Sequence, residues 1–391
     1  MIPGKLTRRK LLQAGITVGG TVLIGFHHPS LTATPASEGG NSLPDARQLG
    51  LVEFIGEGQL PMETPLDAGL DGRLYTNLSA VNPEAPVTAS ERFFVRTRAS
   101  DFLESDKPWV IRVHGQVKRP MEIRVASLEK MSRSAGVHLM ECSGNVRYGH
   151  FGMMSVADWA GVPVEEVLNL VKPEASSTRV LISGFDRYPF TSATSLPGAS
   201  WIFALDDLKS AFFATRMNGA PLTRDHGAPV RLVVPGWYGC ASVKWIDEIR
   251  LMNEDVAATS QMQEFAVRTM QDGIPEMAKD YRPALIDQAA MPVRVEKWLI
   301  AQKISYRIVG IAWGGSKLLQ RLEIRFSPAE DFVSVDNFRH TNNDPWTIWT
   351  HTWSPTRTGV YFIRLRVPDS SVSARRLDAG YYVRSVEIEE I

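Results

Sequence analysis

The sequence predicts an α+β protein in which a mixed α/β domain precedes an all-β sandwich. Two observations support this. Between residues 91 and 255, short strand-type runs alternate with two helix-type segments. After Met291 the chain carries four strand-type segments separated by Gly, Pro, Asn and Asp, with no helical period between them. A chain of 391 residues is long enough for two or three such domains.

The first domain is predicted from apolar runs short enough to be buried strands. The strand-type runs are 93–95, 109–113, 180–182 and 230–234, and the helix-type segments are 125–131 and 163–171. Pro235 and Gly236 follow the last run and end it. We therefore place this domain at residues 91–255, after a linker and extended arm at 37–90 that we expect to wrap it.

The second domain is predicted at residues 291–391, after a polar connection at 256–290. Its strand-type segments are 304–313, 318–327, 346–353 and 359–367. Trp346, Trp349 and Trp353 alternate loosely with polar residues, a pattern typical of a sandwich core or an interface.

The N-terminus has the pattern of an export signal. Thr-Arg-Arg-Lys-Leu-Leu at 7–12 precedes an apolar stretch at 14–26, and Ala33 and Ala36 are candidate cleavage positions. The stretch is shorter than the ~20 residues that a membrane span needs. We expect residues 1–36 to be a twin-arginine signal peptide and the protein to be periplasmic. An uncleaved anchor or a cytosolic arm is the alternative.

Charge and cysteine content exclude several classes of protein. The chain has 43 basic and 43 acidic side chains, so it has no basic field that would favour nucleic acid. Removing residues 1–36 deletes four basic groups and no acidic ones. The remaining chain would be mildly acidic, which suits a basic electron-transfer partner. Two cysteines cannot form a disulfide framework, a thiolate iron–sulfur cluster or a four-thiolate zinc site. No Cys-x-x-Cys-His run for covalent haem is present.

Cys142 is the first candidate for chemistry. It lies in the run Glu-Cys-Ser-Gly-Asn at 141–145, just after a strand-like stretch, where a turn would present its thiolate. Arg147 nearby would favour that thiolate and attract an anion. A lone cysteine is more often a small buried apolar residue, and we interpret Cys240 as a structural residue of this kind. His114 and His138 are likewise read as structural.

A second cluster of polar residues extends from Met217 to Trp245. His226, Arg231 and Lys244 surround a predicted buried strand and a Gly-rich turn, an arrangement that can bind phosphate or another anion. Ordinary surface charge beside a strand would give a similar pattern.

Together, the two clusters resemble the sulfite oxidase family of molybdopterin-dependent oxidoreductases. The resemblance covers about residues 91–370 and is strongest at 141–145, at 217–245 and at Trp-Ala-Gly-Val-Pro-Val, 159–164. It implies a molybdenum–molybdopterin cofactor, a molybdopterin-binding first domain and an immunoglobulin-like, dimerisation-type second domain.

The resemblance also implies roles for single residues. Cys142 falls where the family's thiolate binds molybdenum, and Arg96 and Arg147 fall on arginines that face the substrate oxyanion. Positions implied to contact the pterin or its phosphate are Phe94, Val95, Arg96, Thr97, Arg98, Asp186, His226, Arg231, Ser242, Val243 and Lys244.

Several positions depart from the family pattern. Thr97 and Arg98 replace the usual Asn and His, and Ser242 replaces a His of some relatives. Phe265 stands where the family carries a tyrosine beside the metal, and a phenyl ring has no hydroxyl to hydrogen-bond or pass a proton. Tyr281 could replace it if the connection folds back.

The family resemblance implies oxidation of a small sulfur oxyanion, either sulfite or a sulfane-type intermediate. No haem or flavin motif is present, so we expect an external electron acceptor, a c-type cytochrome or a haem subunit. A homodimer or hetero-oligomer through the second domain is also expected. The alternatives are an exported reductase of sulfoxides or related S- or N-oxides, and a non-catalytic scaffold subunit.

Overall fold

The computed structural model describes residues 46–59, 62–65, 72–97, 103, 108–185 and 199–391. The predicted signal peptide and the predicted pterin contacts Arg98 and Asp186 lie outside these residues.

The strands in the first part of the described chain are β1 (Ala46–Val52), β2 (Glu63–Thr64), β3 (Arg73–Leu74), β4 (Val95–Arg96), β5 (Val110–Gly115), β6 (Met121–Arg124), β7 (Arg133–Glu141), β8 (Met154–Pro163), β9 (Arg179–Gly184), β10 (Ser200–Ala204), β11 (Phe212–Met217), β12 (Ala220–Pro221), β13 (Arg231–Val233) and β14 (Ile246–Met252). Those in the later part are β15 (Ala289–Ile300), β16 (Lys303–Trp313), β17 (Glu323–Arg325), β18 (Val333–Ser334), β19 (Thr347–Trp353), β20 (Gly359–Arg366) and β21 (Arg384–Ile388). The α-helices are α1 (Val125–Met131), α2 (Val164–Val171), α3 (Ser260–Phe265) and α4 (Arg375–Asp378).

Two five-stranded sheets carry the candidate site. One has the order β10-β9-β14-β5-β6, and the other has the order β12-β11-β8-β7 with β13 paired to β11. β14 and β5 run parallel, while the other pairs in these sheets are antiparallel. Helices α1 and α2 lie where the sequence predicted them. Val164, Val167, Leu168 and Val171 are buried at helical spacing, so α2 packs one apolar face on the core.

The later strands form two four-stranded antiparallel sheets, ordered β1-β15-β16-β19 and β18-β17-β20-β21. Trp353 stacks on Phe326 with ring centroids 4.1 Å apart, and Trp349 is fully buried. Strand β17 is shorter than the predicted strand 318–327. The reason is that the backbone N–H of Leu319 donates to His340 Nδ1 at 2.9 Å rather than to a neighbouring strand.

The predicted arm contributes strands of its own. β1 pairs antiparallel with β15, from Ala46 opposite Ile300 to Val52 opposite Val295. Further along, β3 pairs with both β2 and β4. The arm therefore reaches both the later sheets and the strand that carries Arg96.

The polar connection contains helix α3, which its composition did not predict. Thr259 caps α3, because its hydroxyl accepts a hydrogen bond from the backbone N–H of Met262 at 3.2 Å. Among the described residues, no helix is both long and apolar enough to span a membrane. The domain boundaries drawn from the sequence stay a prediction.

Candidate active site

One cavity gathers residues from distant parts of the chain. It is lined mainly by side chains from the ends of β4, β7, β13 and α3 and from the turn before β14. The lining residues are Phe93, Phe94, Arg96, Thr97, Met140, Cys142, Ala199, Asp225, His226, Arg231, Gly239, Cys240, Ser242, Val243, Lys244, Gln261 and Phe265.

Most of the predicted site residues meet in this cavity. Those that line it are Phe94, Arg96, Thr97, Cys142, His226, Arg231, Ser242, Val243, Lys244 and Phe265. Val95 is buried beside them in β4 but is not part of the lining. The two clusters that the sequence presents about 80 residues apart are thus walls of one site.

Cys142 is held at the end of β7 by backbone hydrogen bonds. Its N–H donates to the carbonyl of Met153 at 2.9 Å, and its own carbonyl accepts from Asn145 at 2.9 Å. The Asn145 side chain spans the same loop, since its Oδ1 accepts from Met153 N and its Nδ2 donates to Glu141. The Glu-Cys-Ser-Gly-Asn run is therefore a closed turn that presents the Cys142 thiol to the cavity.

Arg231 brings a buried positive charge to the cavity wall. Its Nη groups donate to the carbonyls of His226 and Ser242 at 3.2 and 3.1 Å, and its Nε has no hydrogen-bond partner. The side chain is buried, and desolvation lowers its pKa to about 9. A buried cation with an unused donor is costly unless an anion compensates it. This side chain therefore suits a negatively charged ligand in the cavity.

His226 is a neutral part of the wall. Its Nε2 lies 3.2 Å from the carbonyl of Phe93, which can only accept, so this nitrogen carries the proton and donates. The Thr223 hydroxyl then donates to Nδ1 at 2.7 Å. Burial is the main cause that lowers the pKa of His226, to about 4. The imidazole is therefore uncharged near neutral pH, with both nitrogens bound to protein groups.

Lys244 organises the backbone around the cavity. Its Nζ donates to the carbonyls of Arg96, Thr97 and Asp225, each at 3.0 Å, which matches the three N–H groups of an ammonium. Thr97 lies in the left-handed region with φ of 66°. This conformation is unfavourable for a β-branched residue and is easier for Asn, which the family carries at this position.

Phe265 lines the cavity, as its predicted place beside the metal requires, whereas Tyr281 does not. The Tyr281 hydroxyl is buried without a hydrogen-bond partner, and burial raises its pKa to about 12. Tyr281 therefore does not bring a hydroxyl to the position of Phe265.

Arg147 does not line the cavity, although the family resemblance implies that it faces the substrate. One Nη donates to the carbonyl of Val383, and the other lies 3.7 Å from the carboxylate of Glu57. Local sequence could not reveal these partners, because they come from the arm and from the last turn before β21.

Sequence reasoning also missed several residues of the wall. Cys240 lines the cavity beside Cys142, and burial raises the pKa of its thiol to about 12, so it is a neutral thiol near pH 7. The Gln261 side chain donates to the Cys240 carbonyl. The glycines just before Ser242 were the sequence signal that could have identified Cys240 as a residue of the site. No sequence pattern distinguishes Met140 or Gln261 from core residues.

These residues fit a metal–pterin group. A thiol of Cys142 supplies a soft metal ligand, and Arg231 supplies a buried cation with an orphaned N–H. Mixed walls of Phe94, Val243 and Ser242 suit a ligand that is partly apolar and partly hydrogen-bonding.

The family described as oxidoreductase molybdopterin binding domain matches residues 99–260 of the chain, which include most of the residues that line the cavity. This match and the donor set of the cavity support a sulfite oxidase-like molybdopterin-dependent oxidoreductase whose cofactor is the molybdenum cofactor.

Similar proteins carry two different activities in their names. The chain is 27% identical to a nitrate reductase [NADPH] of Beauveria bassiana over 71% of this chain and 35% of that protein. It is 30% identical to the nitrate reductase [NADPH] of Neurospora crassa over 51% of this chain and 22% of that protein. It thus spans about a third or less of these relatives. The sulfane dehydrogenase SoxCD from Paracoccus pantotrophus has the same fold, with a TM-score of 0.64 at 17% identity, covering 92% of this chain and 93% of that chain.

Proposed function

We propose that the protein oxidises a small sulfur oxyanion, sulfite or a sulfane-type intermediate, by oxygen-atom transfer at molybdenum. The observation that carries this proposal is the Cys142 thiol, which faces a cavity whose buried cation, Arg231, has no carboxylate partner among the described residues. When bound, the cofactor supplies two-electron redox chemistry coupled to transfer of an oxygen atom.

The residues of the chain have distinct tasks in this proposal. Cys142 holds the metal, and its turn is fixed by Asn145. Arg231 and the backbone held by Lys244 bind the anionic part of the cofactor. Phe94 and Phe265 exclude water from part of the wall, which strengthens electrostatic interactions inside the cavity.

The substrate class rests on the overall likeness to a sulfane dehydrogenase, which extends along nearly the whole of both chains. Sulfite oxidation would take one oxygen from water and release two protons and two electrons. Nitrate reduction is the second candidate, because relatives named nitrate reductases share 27–30% identity with this chain. That reaction would consume two electrons and two protons and release nitrite and water.

The partners and location follow from the same proposal. The electrons leave to an external acceptor, a c-type cytochrome or a haem subunit, and the protein works in the periplasm after twin-arginine export. The two later four-stranded sheets form an immunoglobulin-like sandwich that makes subunit contacts. Their antiparallel order and their shared aromatic packing around Trp353 support this assignment.

The test is a pair of assays on metal-loaded protein. Sulfite is offered with oxidised cytochrome c, and nitrate is offered with a reduced viologen dye. Turnover in the first assay alone is the expected result. Turnover in the second alone would replace the sulfur substrate by nitrate.

Cys142→Ser tests the metal site in the same preparation. We expect loss of turnover with little change in circular dichroism, while the matched thiol variant Cys240→Ser keeps most of its turnover. Wild-type-like turnover in Cys142→Ser would disprove the proposed ligand.

A further inference from the structure

The position facing the substrate, which the family resemblance assigns to Arg147, is not filled by Arg147 in the structure. Its guanidinium is held by the Val383 carbonyl and lies 3.7 Å from Glu57, whose side chain is only 5% exposed. Neither Val383 nor Glu57 lines the cavity, so Arg147 is held outside it, whereas Arg96, the other predicted substrate arginine, lines it. A further cation near Cys142 could take the place of Arg147.

Arg268 is a cation that lies near Cys142. A Cβ atom built on Gly144 would be 3.5 Å from Arg268 Nη1 and 3.7 Å from Cys142 Sγ, so both atoms lie within 4 Å of a single point. Arg268 does not line the cavity itself. Arg268 itself is half-buried.

The surroundings of Arg268 keep its charge available. Among the described residues, no carboxylate forms an ion pair with it. Its guanidinium lies over the ring of Phe265 with 5.3 Å between guanidinium carbon and centroid. A cation–π contact of this kind positions the guanidinium without neutralising its charge.

Arg376 fixes the distance between Arg268 and Cys142. One Nη of Arg376 donates to the carbonyl of Arg268 at 2.9 Å and lies 3.5 Å from the carbonyl of Ser143, next to Cys142. Because one guanidinium bridges the two segments, the Arg268 backbone cannot drift from the Cys142 turn without breaking these contacts.

We propose that Arg268 is the specificity-determining arginine that binds a small oxyanion beside Cys142. Its ligand class is an anion with three or four oxygens around one central atom, which includes sulfite, sulfate and nitrate. The proposal deepens the proposed function and rests on it for the identity of the substrate, but not for the binding of the anion.

The test uses the full chain and has two readouts. In the metal-loaded protein, Arg268→Gln should raise KM for the oxyanion substrate about tenfold or more with a smaller change in kcat, since the anion contact acts mainly in binding. Independently, sodium sulfate should raise the unfolding temperature of the wild type above that in sodium chloride at equal ionic strength. Arg268→Gln should show a smaller difference, because only the general stabilisation of folded proteins by sulfate remains.

Two further variants separate a binding role from a structural one. Arg268→Lys keeps the charge without the fork and should recover part of both effects. Arg282→Gln removes an exposed arginine of the same connection, paired with Asp272, and should behave as the wild type. Unchanged KM and sulfate response in Arg268→Gln, with both altered in Arg147→Gln, would overturn the proposal. An Arg268-dependent sulfate response in a chain that binds no molybdenum would refute the proposed function but leave the anion site standing.

Discussion

The indole Nε1 of Trp313 donates a 2.8 Å hydrogen bond to the carboxylate of Glu141, and both side chains are fully buried. Trp313 ends β16, and Glu141 ends β7 immediately before Cys142. Burial raises the pKa of Glu141, while the bonds from Trp313 and Asn145 oppose that rise. The later sheets therefore contact the Cys142 turn through a buried acid.

Trp313→Phe should destabilise the protein more than the loss of ring volume explains. It leaves the Glu141 carboxylate short of one donor, at a cost of about 2 kcal/mol in the free energy of unfolding. Urea denaturation measures the effect. Trp349→Phe is the matched control, because Trp349 is also buried but its Nε1 has no partner. Equal losses in the two variants would show that the hydrogen bond contributes nothing.

Glu57→Gln should also be destabilising, because it breaks a buried ion pair. Both carboxylate oxygens of Glu57 accept from Arg384, at 3.0 and 2.7 Å, and both side chains are at most 5% exposed. An uncompensated Arg384 costs about 3 kcal/mol. The double variant Glu57→Gln/Arg384→Met should lose less than the sum of the single variants in denaturant titrations. Additive losses would contradict the pairing.

Burial of neutral His226 predicts a pH dependence of stability. The pKa of this side chain falls from 6.5 to about 4 on folding, so between these values the unfolded chain binds a proton that the folded chain does not. Its contribution is fully present above pH 6.5 and is lost as the pH falls toward 4, by roughly 3 kcal/mol.

His226→Gln removes this titration but keeps a donor and an acceptor. The free energy of unfolding of the wild type, minus that of the variant, should therefore fall as pH decreases from 6.5 to 4. His340 and His351 have lowered pKa values in both proteins and cancel in the difference. A flat difference would mean that His226 is not buried in its neutral form.

Thr97→Asn should stabilise the chain. Asn adopts the left-handed conformation of residue 97 more readily than a β-branched threonine does, and relief of this strain is worth about 1 kcal/mol. Thermal and chemical unfolding provide the measurement. Thr97→Val keeps the β-branch and should give no gain, and a gain from both substitutions would point to some other cause.

The parts of the site that sequence could predict share one property, namely that local pattern determines them. Cys142 closes a turn whose Gly and Asn are adjacent in sequence, and His226, Arg231 and Lys244 surround one short strand. Helices α1 and α2 were predictable for the same reason, since their apolar residues repeat at helical spacing.

The parts that sequence could not predict depend on partners far along the chain. Arg147 is directed by Val383 and Glu57, and Arg268 comes near Cys142 only because the polar connection packs there. No spacing rule relates residue 268 to residue 142. The pairing of β1 with β15 likewise joins segments about 240 residues apart, and hydrophobic alternation cannot reveal it.

The pairing of β1 also has a bearing on how the protein behaves when it is shortened. β15, at 12 residues, is among the longest strands, and β1 covers its outer side. Without β1 this strand would present a row of unsatisfied backbone donors and acceptors, which is a template for association between molecules. A chain trimmed to begin after residue 52 would therefore be prone to self-association through β15, even though the cavity at Cys142 lies elsewhere.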